Sequence, residues 1–420
     1  MTLDRSPAGL ARRRRVLRRR RRVAAAVVAS VVIVLVAGGL VLANLGDPPP
    51  RATVRSSLSP SAVIGEDPSG AAVPPWPATG EAAVAVPALG YTAASGPETP
   101  VPVASLAKIM TAYVVLRDHP LRPRWGGPPI TVTAGDAYQF GEDTVSDQAN
   151  VELSAGETLT ERQMLEGLLV HSANDLAFAL AGWDSGSVPA FVGKMNAAAV
   201  ALGMRQTHFV DASGFDPASV STAADLLKVA ARCMDDRAFT RIVRMPSVSL
   251  PLAGTVASYT PLLGTAGVVG VKSGFTSAAG GGDVLAYATT VDGRPVTTLA
   301  AVTSQEGPGV LESAGRSALA LAQAVAGKVT SERVVSVGQR VGSAVVGGTR
   351  VPVVAARPAS LLMVPGQAVH QAVAVRPPLG GSPAGTPVGW VSYAVGRQRA
   401  RVPVRTAGAL PAPSLLDRLW

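Results

Sequence analysis

The chain has little cysteine, little lysine and little charge, and each shortage excludes something. Cys233 is the one cysteine in 420 residues, so no intrachain disulfide framework and no cysteine-built zinc site can form. This leaves an extracytoplasmic location open, because a domain of this size buries an adequate core without staples. The four histidines, His119, His171, His208 and His370, include no His-Glu-x-x-His pair. No Gly-x-Ser-x-Gly elbow occurs, which excludes an α/β-hydrolase. No metal or cofactor is expected. Charged residues reach 16% against 47% hydrophobic, a balance that suits a membrane segment plus a globular body and argues against wholesale disorder.

What charge there is sits unevenly. Residues 1–22 hold ten arginines against Asp4, so most of the net +10 is spent there and the remaining 398 residues carry about +1. A near-neutral body implies no basic face and no nucleic-acid partner. Directly after Arg22, Val23 to Leu45 contains no charge at all. At helical rise this stretch spans roughly 35 Å, slightly more than a hydrocarbon core. The arginine block is expected to stay in the cytoplasm, leaving residues 46–420 outside. A cleaved signal peptide is the alternative, disfavoured by the length of the apolar stretch and the lack of a clean A-x-A site.

The expected organisation is a basic cytoplasmic segment (1–22), a transmembrane anchor (23–45), a Pro/Ser/Gly-rich spacer (46–78), a catalytic domain (79–328), a β-rich accessory domain (329–412) and a short tail (413–420). Glu81 to Val86 reads as a strand, and a helix near Ser105 carries Ile109, Met110, Tyr113 and Val114 at helical spacing. Thr160 followed by Gln163 is a capping-box pattern announcing a helix toward Val170. Val284–Thr290 and Val296–Val302 flank Asp292-Gly293, a hairpin signature, and 310–326 reads as a helix. Valine-rich runs broken by Gly and Pro follow from Ser331. The tail SLLDRLW reads as a short helix whose leucines and Trp420 dock on protein or, as the less favoured alternative, on lipid.

Three short motifs stand in order: Ser105-Leu106-Ala107-Lys108, Ser172-Ala173-Asn174 and Lys272-Ser273-Gly274. Ser-x-x-Lys, Ser-x-Asn and Lys-Ser-Gly each occur once, and two of only five lysines fall inside them. That scarcity gives the set its weight. A serine hydroxyl is a poor nucleophile until a nearby base takes its proton. Three residues along a helix, Lys108 shares a face with Ser105, and burial beside a second cation such as Lys272 would lower its pKa enough for that task. Ser105 at a helix start would aim backbone N–H groups at a developing oxyanion. Ser172 can relay protons to a leaving amine, and the Asn174 amide can hold a substrate carbonyl. Gly274 would let a substrate backbone approach a strand edge, where Lys272 and Ser273 can bind a terminal carboxylate.

With these motifs the chain resembles the low-molecular-mass penicillin-binding proteins of the D-alanyl-D-alanine carboxypeptidase family. VASLAKIMTAYVVL, LLVHSANDLAFALA, FVGKMNAAAVALGMRQTHFVDASGFD with STAADL, and GVKSGFTSAAGG carry the likeness over about 79–328. The resemblance implies an α+β fold, a five-stranded antiparallel sheet flanked by helices, with the site between sheet and helical lobe. It implies a serine nucleophile, Ser105, that attacks the penultimate D-Ala carbonyl of a peptidoglycan stem peptide ending in D-Ala-D-Ala, with β-lactams as inhibitors. Lys108 maps to the general base, Ser172 to proton relay, and Asn174, Lys272, Ser273 and Gly274 to substrate binding. The N–H groups of Ser105 and Phe275 map to the oxyanion hole.

Ala173 and Ser273 stand where the family usually has Gly and Thr; both substitutions keep the hydrogen-bonding groups. No glutamate lies between Asn174 and Lys272, so the deacylating carboxylate of a class A β-lactamase is missing and rapid penicillin hydrolysis is not expected. A membrane-tethered sensor of β-lactams or peptidoglycan that acylates without turnover, and a D,D-endopeptidase, remain open beside the carboxypeptidase.

Overall fold

The computed structural model describes residues 7–45, 51–63, 74–96, 98–146 and 148–412. A single helix, Pro7–Leu45, carries both the arginine block and the apolar stretch. It is long and apolar enough to cross a membrane, and its apolar side chains meet no protein core.

The central sheet is five-stranded and wholly antiparallel, in the order Val268–Thr276, Gly280–Val291, Arg294–Gln305, Glu81–Val86, Tyr91–Ala94. Strand Glu81–Val86 (EAAVAV) has no polar face because both sides of it are covered. One face packs on helix Val310–Ala326 through Ala314, Ala318, Leu321 and Val325, with the two alanines letting the helix approach closely. The other face meets a helical lobe built around Lys108–Asp118, Glu161–Val170, Asn174–Ser185, Val188–Ala201 and Ala223–Cys233. Thr160 and Gln163 form the expected reciprocal capping box. Asp292 and Gly293 both take positive φ, as a two-residue hairpin turn of matching twist requires.

Beyond Ala326 a β module follows, with its own core of Val341, Val353, Val369, Val391, Tyr393 and Val402. Its main sheet runs Thr53–Ser56, Arg340–Val346, Thr349–Ala355, Gln398–Thr406, Pro387–Val395, Ala368–Val375, Ser61–Val63. The two outermost strands come from residues expected to be spacer. Residues 53–56 and 61–63 cap both edges of a sheet whose other strands lie some three hundred residues on. Backbone pairing at an edge requires little of side chains, so such short polar strands carry almost no pattern. The spacer therefore reduces to two pieces, one before Arg51 and one between Val63 and the catalytic sheet. The SLLDRLW tail lies outside the described residues.

A hairpin tip joins the two modules. Gly396 lies so close to Leu89 and Gly90 that a Cβ would stand 2.2 Å from the Leu89 carbonyl carbon. The Arg397 N–H donates to Ala88 O, and its guanidinium pairs with Asp235. Charge divides along the same line. Residues 330–412 hold nine arginines against Glu332 alone, whereas residues 74–328 hold sixteen lysines and arginines against twenty-two acids. The near-neutral body expected from the total is an average over two oppositely charged modules. Its implied lack of a basic face does not hold for the β module, where all nine arginines are exposed.

Candidate active site

Ser105 sits in a 3-10 turn, Ala104–Ala107, that runs directly into helix Lys108–Asp118. The turn is held from outside. Ala104 has φ 47°, and Gly214 packs so tightly that a Cβ there would lie 1.9 Å from the Ala104 carbonyl oxygen. Gly274 closes the other side, where a Cβ would lie 2.8 Å from the Ser105 nitrogen.

The Lys108 side chain is fully buried, and its ammonium donates to Ser105 Oγ at 2.9 Å, to Asn174 Oδ1 and to Ser213 O at 3.1 Å. Three donors meet three acceptors, so the side chain has one orientation. Burial, followed by the repulsion of Lys272, holds its pKa well below the usual lysine range, against the pull of Asp211, Asp143 and Asp175. Asn174 is set in turn by Gln148, whose Oε1 accepts from Asn174 Nδ2, and by its own N–H, which donates to Ala149 O.

Ser172 is nearly buried and has φ 68°. The loop at Tyr259 ties this turn to the third motif. The Tyr259 N–H donates to Val170 O, its ring lies 4.9 Å from that of His171, and its carbonyl accepts from Ser273 Oγ at 2.7 Å. The Ser273 hydroxyl is thus engaged with the Tyr259 carbonyl.

Lys272 is also fully buried and donates to Ser273 O. Burial lowers its pKa to about 7, opposed by Asp283. Gly274 and Phe275 continue the same strand, with Phe275 51% exposed. This strand is the outermost of the five, leaving one backbone edge beside Ser105 unpaired within the sheet.

Two residues here had been given no role from the sequence. Asp211 accepts from Ser213 Oγ, Ser219 Oγ and the N–H groups of Gly214 and Phe215, fixing the loop whose Ser213 carbonyl holds Lys108. Asp283 faces Ser273 across the ladder and is fully buried. Neither of its carboxylate oxygens has a hydrogen-bond partner among the described residues, and burial raises its pKa to about 8. Asp211 stood inside the DASGFD stretch, but Asp283 follows an uninformative run of glycines. The arrangement can activate a hydroxyl, hold an acyl group beside a strand edge and offer a cation to an anionic substrate end.

An antiparallel sheet against a helical lobe, with a Ser-Lys pair at the junction, defines the penicillin-binding D,D-peptidase fold. The chain belongs to the D-alanyl-D-alanine carboxypeptidase family, peptidase S11, whose profile matches residues 92–303. A D-alanyl-D-alanine carboxypeptidase of Streptomyces sp. (strain K15) is 34% identical over 188 residues, 40% of this chain and 62% of that protein. The chain thus spans about three fifths of that curated relative. The crystal structure of the Streptomyces K15 DD-transpeptidase superposes with a TM-score of 0.53 at 27% identity, covering 60% of this chain and 99% of that one. Penicillin-binding protein 5 from Haemophilus influenzae shares the fold over 81% of this chain and 99% of its own, with a TM-score of 0.57 at 21% identity.

Proposed function

We propose that the protein is a serine-type D-Ala-D-Ala carboxypeptidase acting on peptidoglycan stem peptides. The observation that carries this is the 2.9 Å contact between Lys108 Nζ and the half-buried Ser105 Oγ, with the fully buried Lys272 holding down the Lys108 pKa. With Lys108 neutral, its lone pair takes the Ser105 proton as Oγ bonds to the penultimate D-Ala carbonyl. The N–H groups of Ser105 and Phe275 hold the oxyanion. The terminal D-Ala leaves as an amine, protonated through Ser172. Water then cleaves the ester and restores Ser105. Asn174 and the strand at Gly274 position the substrate, and Lys272 with a rotated Ser273 meets the terminal carboxylate. β-Lactams would form the same ester and hold it.

Helix Pro7–Leu45 is read as a single-pass anchor, with the arginine block in the cytoplasm and the catalytic domain outside. The test is to incubate the full-length protein with a fluorescent penicillin and with a peptide ending in D-Ala-D-Ala. Covalent label and released D-Ala are expected, both lost in Ser105→Ala. Equal labelling of that variant would overturn the reading, and labelling without D-Ala release would replace the peptidase with a sensor.

A further inference from the structure

The anchor helix and the basic β module are joined by a short stretch of chain. Helix Pro7–Leu45 ends six residues before Arg51, which bridges to Leu379 in the β module. Six peptide steps reach at most about 20 Å. The neighbouring strand then pairs Thr53 with Val345. These contacts lie at the end of the β module remote from the catalytic domain. The docking hairpin tip is at Arg397, whereas Arg405 lies about 25 Å further along the same strand and Val353 pairs with Thr406 beyond it.

Four exposed arginines, Arg51, Arg350, Arg376 and Arg405, gather at this remote end. None meets a carboxylate among the described residues; Arg51 donates only to the Pro377 carbonyl. Two apolar side chains, Val375 and Leu379, stand 41% and 40% exposed beside them. The acids nearest in sequence are Asp47, four residues before Arg51, and Asp417, six residues after Pro411. Guanidinium groups fork onto phosphate oxygens, and exposed apolar side chains next to cations suit the boundary between headgroups and acyl chains.

We propose that this end of the β module docks on anionic phospholipid headgroups of the membrane that holds the anchor, so that the β module stands between bilayer and catalytic domain. The proposal rests on the anchor reading above. The tether length selects lipid over a more distant phosphate polymer, since the arginines cannot leave the bilayer surface by more than that reach.

The test reconstitutes the full-length protein in phosphatidylcholine vesicles and in mixed phosphatidylcholine–phosphatidylglycerol vesicles, and follows amide hydrogen exchange over residues 347–352 and 376–388. Each arginine near an anionic surface contributes on the order of fivefold, so exchange is expected at least roughly tenfold slower in the mixed vesicles. The triple variant R51Q/R376Q/R405Q should lose that slowing, and the triple Lys variant should keep it. Equal exchange in both lipids, or undiminished slowing in the Gln variant, overturns the proposal. Soluble poly(glycerol phosphate) that reproduces the protection in phosphatidylcholine vesicles overturns the lipid assignment. Failure to float with either vesicle in high salt overturns the anchor reading itself, and is distinguishable because penicillin labelling is then unaffected.

Discussion

On the proposed reading, Lys108 and Lys272 are two buried amines asked to do opposite things. Lys108 works as a base only when neutral, and its lowered pKa makes that form accessible. Lys272 attracts a carboxylate only when charged, which holds below about 7. Acylation by a D-Ala-D-Ala peptide should therefore weaken above about pH 7 through a rising KM. A peptide with an amidated end should lack that alkaline limb; identical profiles for both would refute the assignment of Lys272. Lys108→Met should lower the acylation rate by roughly 10²–10⁴-fold, with a stability loss of about 1–3 kcal/mol from the unsatisfied Ser213 and Asn174 oxygens, read by denaturant titration.

At the scale of elements, the site depends on two glycines that admit neighbouring backbone. Gly274→Ala would push a methyl group toward the Ser105 N–H at 2.8 Å. Penicillin labelling should fall steeply, and the melting temperature should fall as well because the atoms displaced are backbone atoms of the Ser105 turn. Gly214→Ala goes further. It combines φ 81° with a Cβ 1.9 Å from the Ala104 oxygen, so folding and labelling should both suffer, by more than the roughly 1–3 kcal/mol of a strained backbone alone. An unbroken apolar run announced the strand at Glu81, turn residues between two apolar runs the hairpin at Asp292-Gly293, and helical spacing the helix at 310–326. No such pattern could announce Asp211 or Tyr259, which stand in irregular segments and whose partners (Ser213, Ser219, Val170, Ser273) follow no fixed sequence spacing.

At the scale of the molecule, residues 51–63 belong to a sheet completed only after residue 340. A fragment starting at residue 79 should keep penicillin labelling, since the site needs none of those strands. Its β module should lose both edge strands and become the first region cut in limited proteolysis, whereas a fragment from residue 46 should resist. Intact β-module resistance in the shorter fragment would contradict the observed pairing. The Arg397–Asp235 pair is half exposed on both sides and contributes below about 1 kcal/mol, so the close Gly396 contact matters more for joining the modules.

By itself the sequence determined the chemistry-bearing groups and the class of fold. Covalent order fixes which serine precedes which lysine, and repeated burial writes itself into hydrophobic spacing. It also determined the long apolar helix, since twenty-three uncharged residues need no tertiary partner to be recognised. Only the tertiary structure decided that Ser273 turns toward Tyr259, that Asp283 stands behind Lys272 and that the expected spacer closes the β sheet at both edges. Those outcomes depend on backbone atoms and charges brought together across hundreds of residues, and composition averages them away, as it did the opposite charges of the two modules.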